Sequence, residues 1–113
     1  MVDSVSAVGK LVPNFSAAMT GSNPMTLSGL KGKKIVLYFY PKDNTPGCTT
    51  EAMQFRDLYD AFKATDTEIF GISRDSLRSH EGFKSKLGLP FELISDPDET
   101  LCIMFDVMKL KNM

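Results

Sequence analysis

A thiol, a hydroxyl and a carboxylate stand within one short stretch, "PKDNTPGCTTE" (residues 41–51), as Cys48, Thr45 and Glu51 among two prolines and a glycine. The chemistry open to such a group is nucleophilic or redox, and the thiolate carries it. Dithiol exchange ordinarily uses Cys-x-x-Cys, and here Glu51 occupies the place of the second cysteine. Gly47 removes a side chain beside the sulfur, which lets a substrate and main-chain N–H groups come close. Pro41 and Pro46 stiffen the turn, and Pro41 is placed to cover the thiol against water. The Thr45 hydroxyl has two uses open to it: capping the following helix through the Cys48 N–H, or donating to an oxygen held at the sulfur. Glu51 likewise either answers the dipole of a first helical turn or takes part in the site.

The elements that must position these groups follow from hydrophobic spacing. "IVLYFY" (35–40), "EIFGIS" (68–73) and "FELIS" (91–95) are short runs rich in β-branched and aromatic residues and read as strands. The first two are nearly continuous in apolar character, as in parallel strands covered on both faces. Ala52, Phe55, Tyr59 and Phe62 recur at three and four, predicting one helix from about 48 to 63. A second helix is expected over 76–87, with Leu77, Phe83 and Leu87 on one side. A third is expected over 97–106, with Asp96 as N-cap, Pro97 at the first position and Glu99 completing a capping box. The turn signal from Gly21 to Pro24 predicts a small hairpin in the N-terminal part, and Gly29 and Gly32 mark turns into the first core strand.

Strand, helix, strand, helix, strand, helix is the order of an α/β sheet. In such sheets ligands sit beyond the carboxyl ends of the strands. Cys48 falls there, in the first turn of the helix that leaves strand 35–40, where unpaired N–H groups and the positive dipole end favour an anion.

The remaining candidates are weaker. Cys102 lies in an amphipathic stretch with Leu101, Met104 and Phe105 and reads as a packed residue rather than a second reactive thiol. His80 falls on the helical stripe of Leu77, Phe83 and Leu87 and reads as a partly buried helix histidine. A zinc site from Cys48, His80 and Cys102 lacks paired ligand spacing, so no metal is expected. Arg74, just past strand 68–73, reads as a solvated loop residue.

The 113 residues suffice for one domain, with roughly 65% of the unfolded surface buried. A formal net charge of −1 and the lack of a basic block argue against nucleic acid and against an anionic membrane surface. The N-terminus does not read as a secretory signal, and no apolar run approaches the ~20 residues of a spanning helix. The expectation is a cytoplasmic protein in a reducing compartment, with Cys48 and Cys102 both as thiols. There is no internal repeat.

The segment Pro41–Glu51 resembles the active-site motif of the peroxiredoxins, in which Pro, Thr and Cys stand at the spacing of Pro41, Thr45 and Cys48. "VLYFYPKDNTPGCTTEAMQFRDLY", "FGISRDS" and "LISDPDETLCIMFDV" are similar to the bacterioferritin-comigratory, or Q, branch of that family, from about residue 8 onward. The resemblance implies a thioredoxin-like fold and a thiol peroxidase that needs no metal or organic cofactor. It implies that Cys48 is the peroxidatic residue, oxidised by peroxide to a sulfenic acid. It also implies that Thr45 orients the peroxide, Pro41 shields the sulfenic acid, and Glu51 helps to hold a family arginine.

Two departures qualify what is carried over. Relatives keep a resolving cysteine five residues after the peroxidatic one or on the next helix, and Met53 and Lys84 occupy those places. The reading is therefore of a one-cysteine enzyme, recycled by an external thiol such as thioredoxin, glutaredoxin or a small thiol, and a monomer or weak dimer. The family arginine would follow Met113, so residues 1–113 read as a single thioredoxin-like domain incomplete at its C-terminus, lacking strands and a helix. In the family's sheet, strand 91–95 lies beside 68–73, which lies beside 35–40. The alternative function is an inactive or redox-sensing fragment that binds a partner.

Overall fold

The computed structural model describes residues 13–105 apart from 22 and 31. Its centre is a parallel sheet of β3 (Lys34–Phe39), β4 (Thr67–Ser73) and β5 (Glu92–Ser95), in that spatial order. Val36 pairs with Ile69 and Phe39 with Ile72, while Gly71 pairs with Leu93. The three strand runs and the order implied by the resemblance are both found.

Side chains alternate across a strand, and that period of two divides the apolar residues into two cores. On one face Tyr38, Ile69 and Leu93 pack with Ala52, Phe83, Leu89 and Phe91. On the other face Phe70, Ile72 and Ile94 pack with Phe15, Met25 and Leu101. Both faces are covered, which is why the strands read as apolar runs rather than as an alternation.

α1 (Pro46–Asp57), α2 (Tyr59–Ala64) and α3 (Leu77–Leu87) pack on the first face. The single helix expected over 48–63 is two helices that meet at Leu58, whose backbone (φ −96°, ψ 2°) leaves helical geometry. The hydrogen bonds Leu58 N–H to Gln54 C=O and Phe62 N–H to Leu58 C=O bridge the break. The stripe of Ala52, Phe55, Tyr59 and Phe62 therefore still faces one core. α3 has the expected limits: Ser76 caps it by accepting from Ser79 N–H at 3.1 Å, and Gly88 ends it in the left-handed region at φ 64°. Leu77, expected on its buried stripe, is 38% exposed.

The second face carries the hairpin β1 (Ser16–Ala17) and β2 (Met25–Thr26), antiparallel as expected, and α4 (Thr100–Met104). The chain after β1 also runs along the outer edge of β5, where Ser95 N–H donates to Ala18 C=O at 2.9 Å and Thr20 N–H to Leu93 C=O at 3.0 Å.

α4 begins later than the sequence suggests. Asp96 closes a turn by accepting Glu99 N–H at 3.0 Å, and Glu99 then takes a left-handed conformation at φ 61°. Pro97 is therefore outside the helix, and Glu99 is not the far end of a capping box. Asp96 still serves the helix from across the turn, since its carboxylate accepts the N–H groups of Leu101 and Cys102 at 3.1 Å. Residue 106, the last of the expected helix, lies outside the described residues.

Candidate active site

β3 ends at Phe39, and Tyr40 continues the ladder by donating its N–H to Ile72 C=O at 3.0 Å. The chain then leaves the sheet at its carboxyl edge. Asn44 turns left-handed at φ 67°, a conformation that a short polar side chain tolerates better than most. Thr45 returns to extended backbone at the N-cap position, and Pro46 opens α1. Cys48 is the third residue of the helix, in its first turn. The first intrahelical bond, Thr49 N–H to Thr45 C=O at 2.8 Å, begins only after it. The N–H groups of Gly47 and Cys48 thus belong to the set that an α-helix leaves without internal partners.

Pro41 and Gly47 are exposed, and Thr45, Cys48 and Glu51 are half-buried. Cys48 rests against the core that holds Tyr38, Tyr40 and Ala52. A Cβ on Gly47 would meet no atom within 4 Å beyond its own stretch of helix, so packing against the rest of the chain does not require the glycine.

Two of the readings for this stretch change. Thr45 makes no side-chain cap bond: its hydroxyl donates to Lys42 C=O at 3.1 Å, across the turn. Glu51 is the sixth residue of α1, in its second turn, so interaction with the dipole of a first turn does not describe it. Burial pushes the Glu51 carboxyl above its ordinary value. Burial likewise raises the Tyr38 phenol, with smaller contributions from the charges of Glu51, Asp43 and Cys48. Tyr38 therefore keeps its proton, and its hydroxyl has no hydrogen-bond partner among the described residues.

Arg74 is not simply solvated. Its Nη1 lies 3.0 Å from Glu99 Oε2, an ion pair without hydrogen-bond alignment that ties the end of β4 to the start of α4. Cys102 is buried, as expected. Its helix packs through Leu101 and Met104 on the face of the sheet opposite to the core that Cys48 joins.

His80 departs most from its reading, being fully buried rather than partly so. It meets Asp43, from the loop before Cys48, through Nδ1 at 2.8 Å, and the main-chain oxygen of Ile94 through Nε2 at 3.0 Å. Asp43, Asp75 and His80 each present a possible ligand atom within 4.8 Å of the others. Those atoms are engaged with one another's surroundings, however: Asp75 Oδ2 accepts from Asp43 N–H at 2.8 Å and from Ser73 Oγ at 2.6 Å. Sequence reasoning missed this cluster. Its signals were a lone histidine on an apolar stripe and an aspartate two residues after the motif proline, and neither indicates the other.

A family model described as AhpC/TSA matches residues 8–113. The chain is 44% identical over 113 residues to peroxiredoxin Bcp of Xanthomonas campestris, spanning all of this chain and 71% of that protein. It is 48% identical over 104 residues to peroxiredoxin Bcp of Bacillus subtilis, spanning 92% of this chain and 66% of that one. Among solved structures it is similar to the Xanthomonas campestris bacterioferritin comigratory protein, whose study concerns alkyl peroxide reduction. That likeness has a TM-score of 0.80 at 45% identity over 82% of this chain, which spans 59% of that structure's length. No helix among the described residues is long and apolar enough to cross a membrane.

Proposed function

The chain belongs to the AhpC/TSA family, in its Bcp or peroxiredoxin Q branch, a family of thiol-dependent peroxidases, and from that membership we propose that it reduces hydrogen peroxide and alkyl hydroperoxides at Cys48. The observation that carries the reading is the place of Cys48: the third residue of α1, three after the N-cap Thr45, among the N–H groups that an α-helix leaves without internal partners.

In this reading the Cys48 thiolate attacks one peroxide oxygen. The S–O bond forms as the O–O bond breaks, and the departing oxygen leaves as water or an alcohol after taking a proton. Helix N–H groups steady the negative charge as it passes along the S–O–O line. Thr45 turns its hydroxyl from Lys42 C=O to the peroxide, and Pro41 flanks the sulfur. Glu51 stands one turn of helix further in. No metal or organic cofactor takes part.

The product is a Cys48 sulfenic acid. Met53 and Lys84 occupy the places where relatives keep a resolving thiol, and Lys84 Nζ is engaged with Glu92 Oε1 at 2.8 Å. Cys102 is buried in α4, whose neighbours pack across the sheet. We therefore read the enzyme as one-cysteine: an external thiol condenses with the sulfenic acid to a mixed disulfide and water, and a second thiol releases Cys48.

The test is intact mass spectrometry after one equivalent of peroxide, with and without dimedone, alongside peroxide consumption with dithiothreitol or thioredoxin. A trapped dimedone adduct on Cys48 and turnover only with added thiol are expected. An immediate loss of both thiols to a Cys48–Cys102 crosslink would overturn the one-cysteine cycle. Absence of any oxidation would overturn the peroxidase reading.

A further inference from the structure

The loop that delivers Cys48 is anchored from beneath by a polar cluster that the peroxide chemistry does not touch. Asp43 is 4% exposed. Tyr40 Oη donates to its Oδ1 at 2.6 Å, and Ser79 Oγ donates to its Oδ2 at 2.8 Å. His80 Nδ1 lies 2.8 Å from the same Oδ2, while Nε2 lies 3.0 Å from Ile94 C=O in β5. The loop's main chain is held as well, since Asp43 N–H donates to Asp75 Oδ2 at 2.8 Å.

The near partners of both His80 ring nitrogens are acceptors. A carbonyl oxygen only accepts, and a carboxylate that already takes hydrogens from Tyr40 and Ser79 accepts again. Ser73 Oγ, 3.5 Å from Nε2, has its hydrogen committed to Asp75. A ring with an N–H at each nitrogen bonds both neighbours and pairs with the buried Asp43. Without it that carboxylate would stand among neutral donors in a dry interior, a costly arrangement that protonation or movement of the loop would relieve.

We propose that His80 is a positioning residue for the reaction at Cys48: by joining Asp43 to Ile94 it holds loop 40–45 against β5 and α3, in the conformation that turns at Asn44 and enters α1 at Thr45. The proposal rests on Cys48 being the reacting thiol. His80 itself reaches no substrate, because the ring has no exposed surface.

The chain has one histidine, so labelling histidine with ¹⁵N reads His80 alone. In the intact protein both ring nitrogens should show a directly bonded, slowly exchanging hydrogen, and Asp43→Asn should change the Nδ1 signal. A ring with one bare nitrogen overturns the proposal. Kinetically, His80→Gln and Asp43→Asn should each slow peroxide oxidation of Cys48 by about tenfold to a hundredfold, the range for a misplaced reacting group. The double variant should be no slower than the slower single one, since both act through one link. Folded variants that react at the unaltered rate, or losses that multiply, overturn the proposal. Should His80→Gln not fold, the ring spectrum and Asp43→Asn decide it. Iodoacetamide alkylation of Cys48 runs in parallel and uses no peroxide. If the unaltered chain is inert to peroxide, slower alkylation in the variants still supports the positioning role and unchanged alkylation overturns it, apart from the peroxidase reading.

Discussion

The ring of Tyr38 lies across Gly71 so closely that a Cβ on Gly71 would stand 2.9 Å from Tyr38 Cζ and from its hydroxyl oxygen, and equally 2.9 Å from Leu93 Cδ2. The ring also stacks on Phe55 of α1, with centroids 4.4 Å apart. Gly71 is thus the gap in β4 through which β3 reaches across the sheet. Gly71→Ala should cost about 1–3 kcal/mol, as overpacking does. Urea denaturation would measure it. A neutral result would mean that Tyr38 has another rotamer available.

Thr45 separates a structural role from a chemical one. Its hydroxyl bonds Lys42 C=O across the turn and caps no helix N–H. Thr45→Val should therefore cost less than the ~1 kcal/mol of a lost N-cap. Peroxide oxidation of Cys48 should nevertheless slow by about tenfold or more if the hydroxyl orients the substrate. A variant that loses stability but keeps its rate would contradict the assignment.

Asp43 gives a pH dependence of stability with a definite sign. Burial pushes its carboxyl up, but hydrogen bonds from His80, Tyr40 and Ser79 and the charge of His80 outweigh it and hold the group below its ordinary value of 3.8. A folded-state value below the unfolded one adds stability above the unfolded value and loses it as pH falls through the folded one. The contribution should be complete above about pH 5 and decline below it. Asp43→Asn should lower stability near neutrality by about 3–5 kcal/mol, as when one partner of a buried pair is removed. It should also flatten the acid limb of a plot of denaturation midpoint against pH. An acid limb of unchanged slope would mean that Asp43 is not the group being titrated.

The two cysteines should behave differently. Cys48→Ser should abolish peroxide consumption, because no other group stands in the first turn of α1 with a nucleophilic sulfur. Cys102→Ser should leave most of it, with some loss of stability from placing a hydroxyl in a buried site. Equal loss of turnover in two folded variants would remove Cys48 from its role.

The sequence by itself determined whatever depends on neighbours a few positions apart. The strand runs showed as apolar β-branched stretches, and the face of α1 and α2 as the spacing of Ala52, Phe55, Tyr59 and Phe62. Amphipathic spacing over 76–87 showed α3, and Cys48 was legible in a first helical turn. The order of the strands came from the likeness to a family, because period alone does not say which strand lies beside which.

Tertiary structure decided the rest, and the reason is range. His80 finds Asp43 across 37 positions and Ile94 across 14, so its burial depends on α3 closing over the β3 loop. Gly71 lies in a run that reads as a strand, and nothing in its spacing indicates the Tyr38 ring that crosses it. Asp96 serves α4 from outside the helix because a turn, and not the capping pattern, brings its carboxylate to Leu101 and Cys102. A side chain's local spacing shows which face it shares. What stands opposite that face is set by the packing of distant segments, which here buries a histidine and an aspartate against each other.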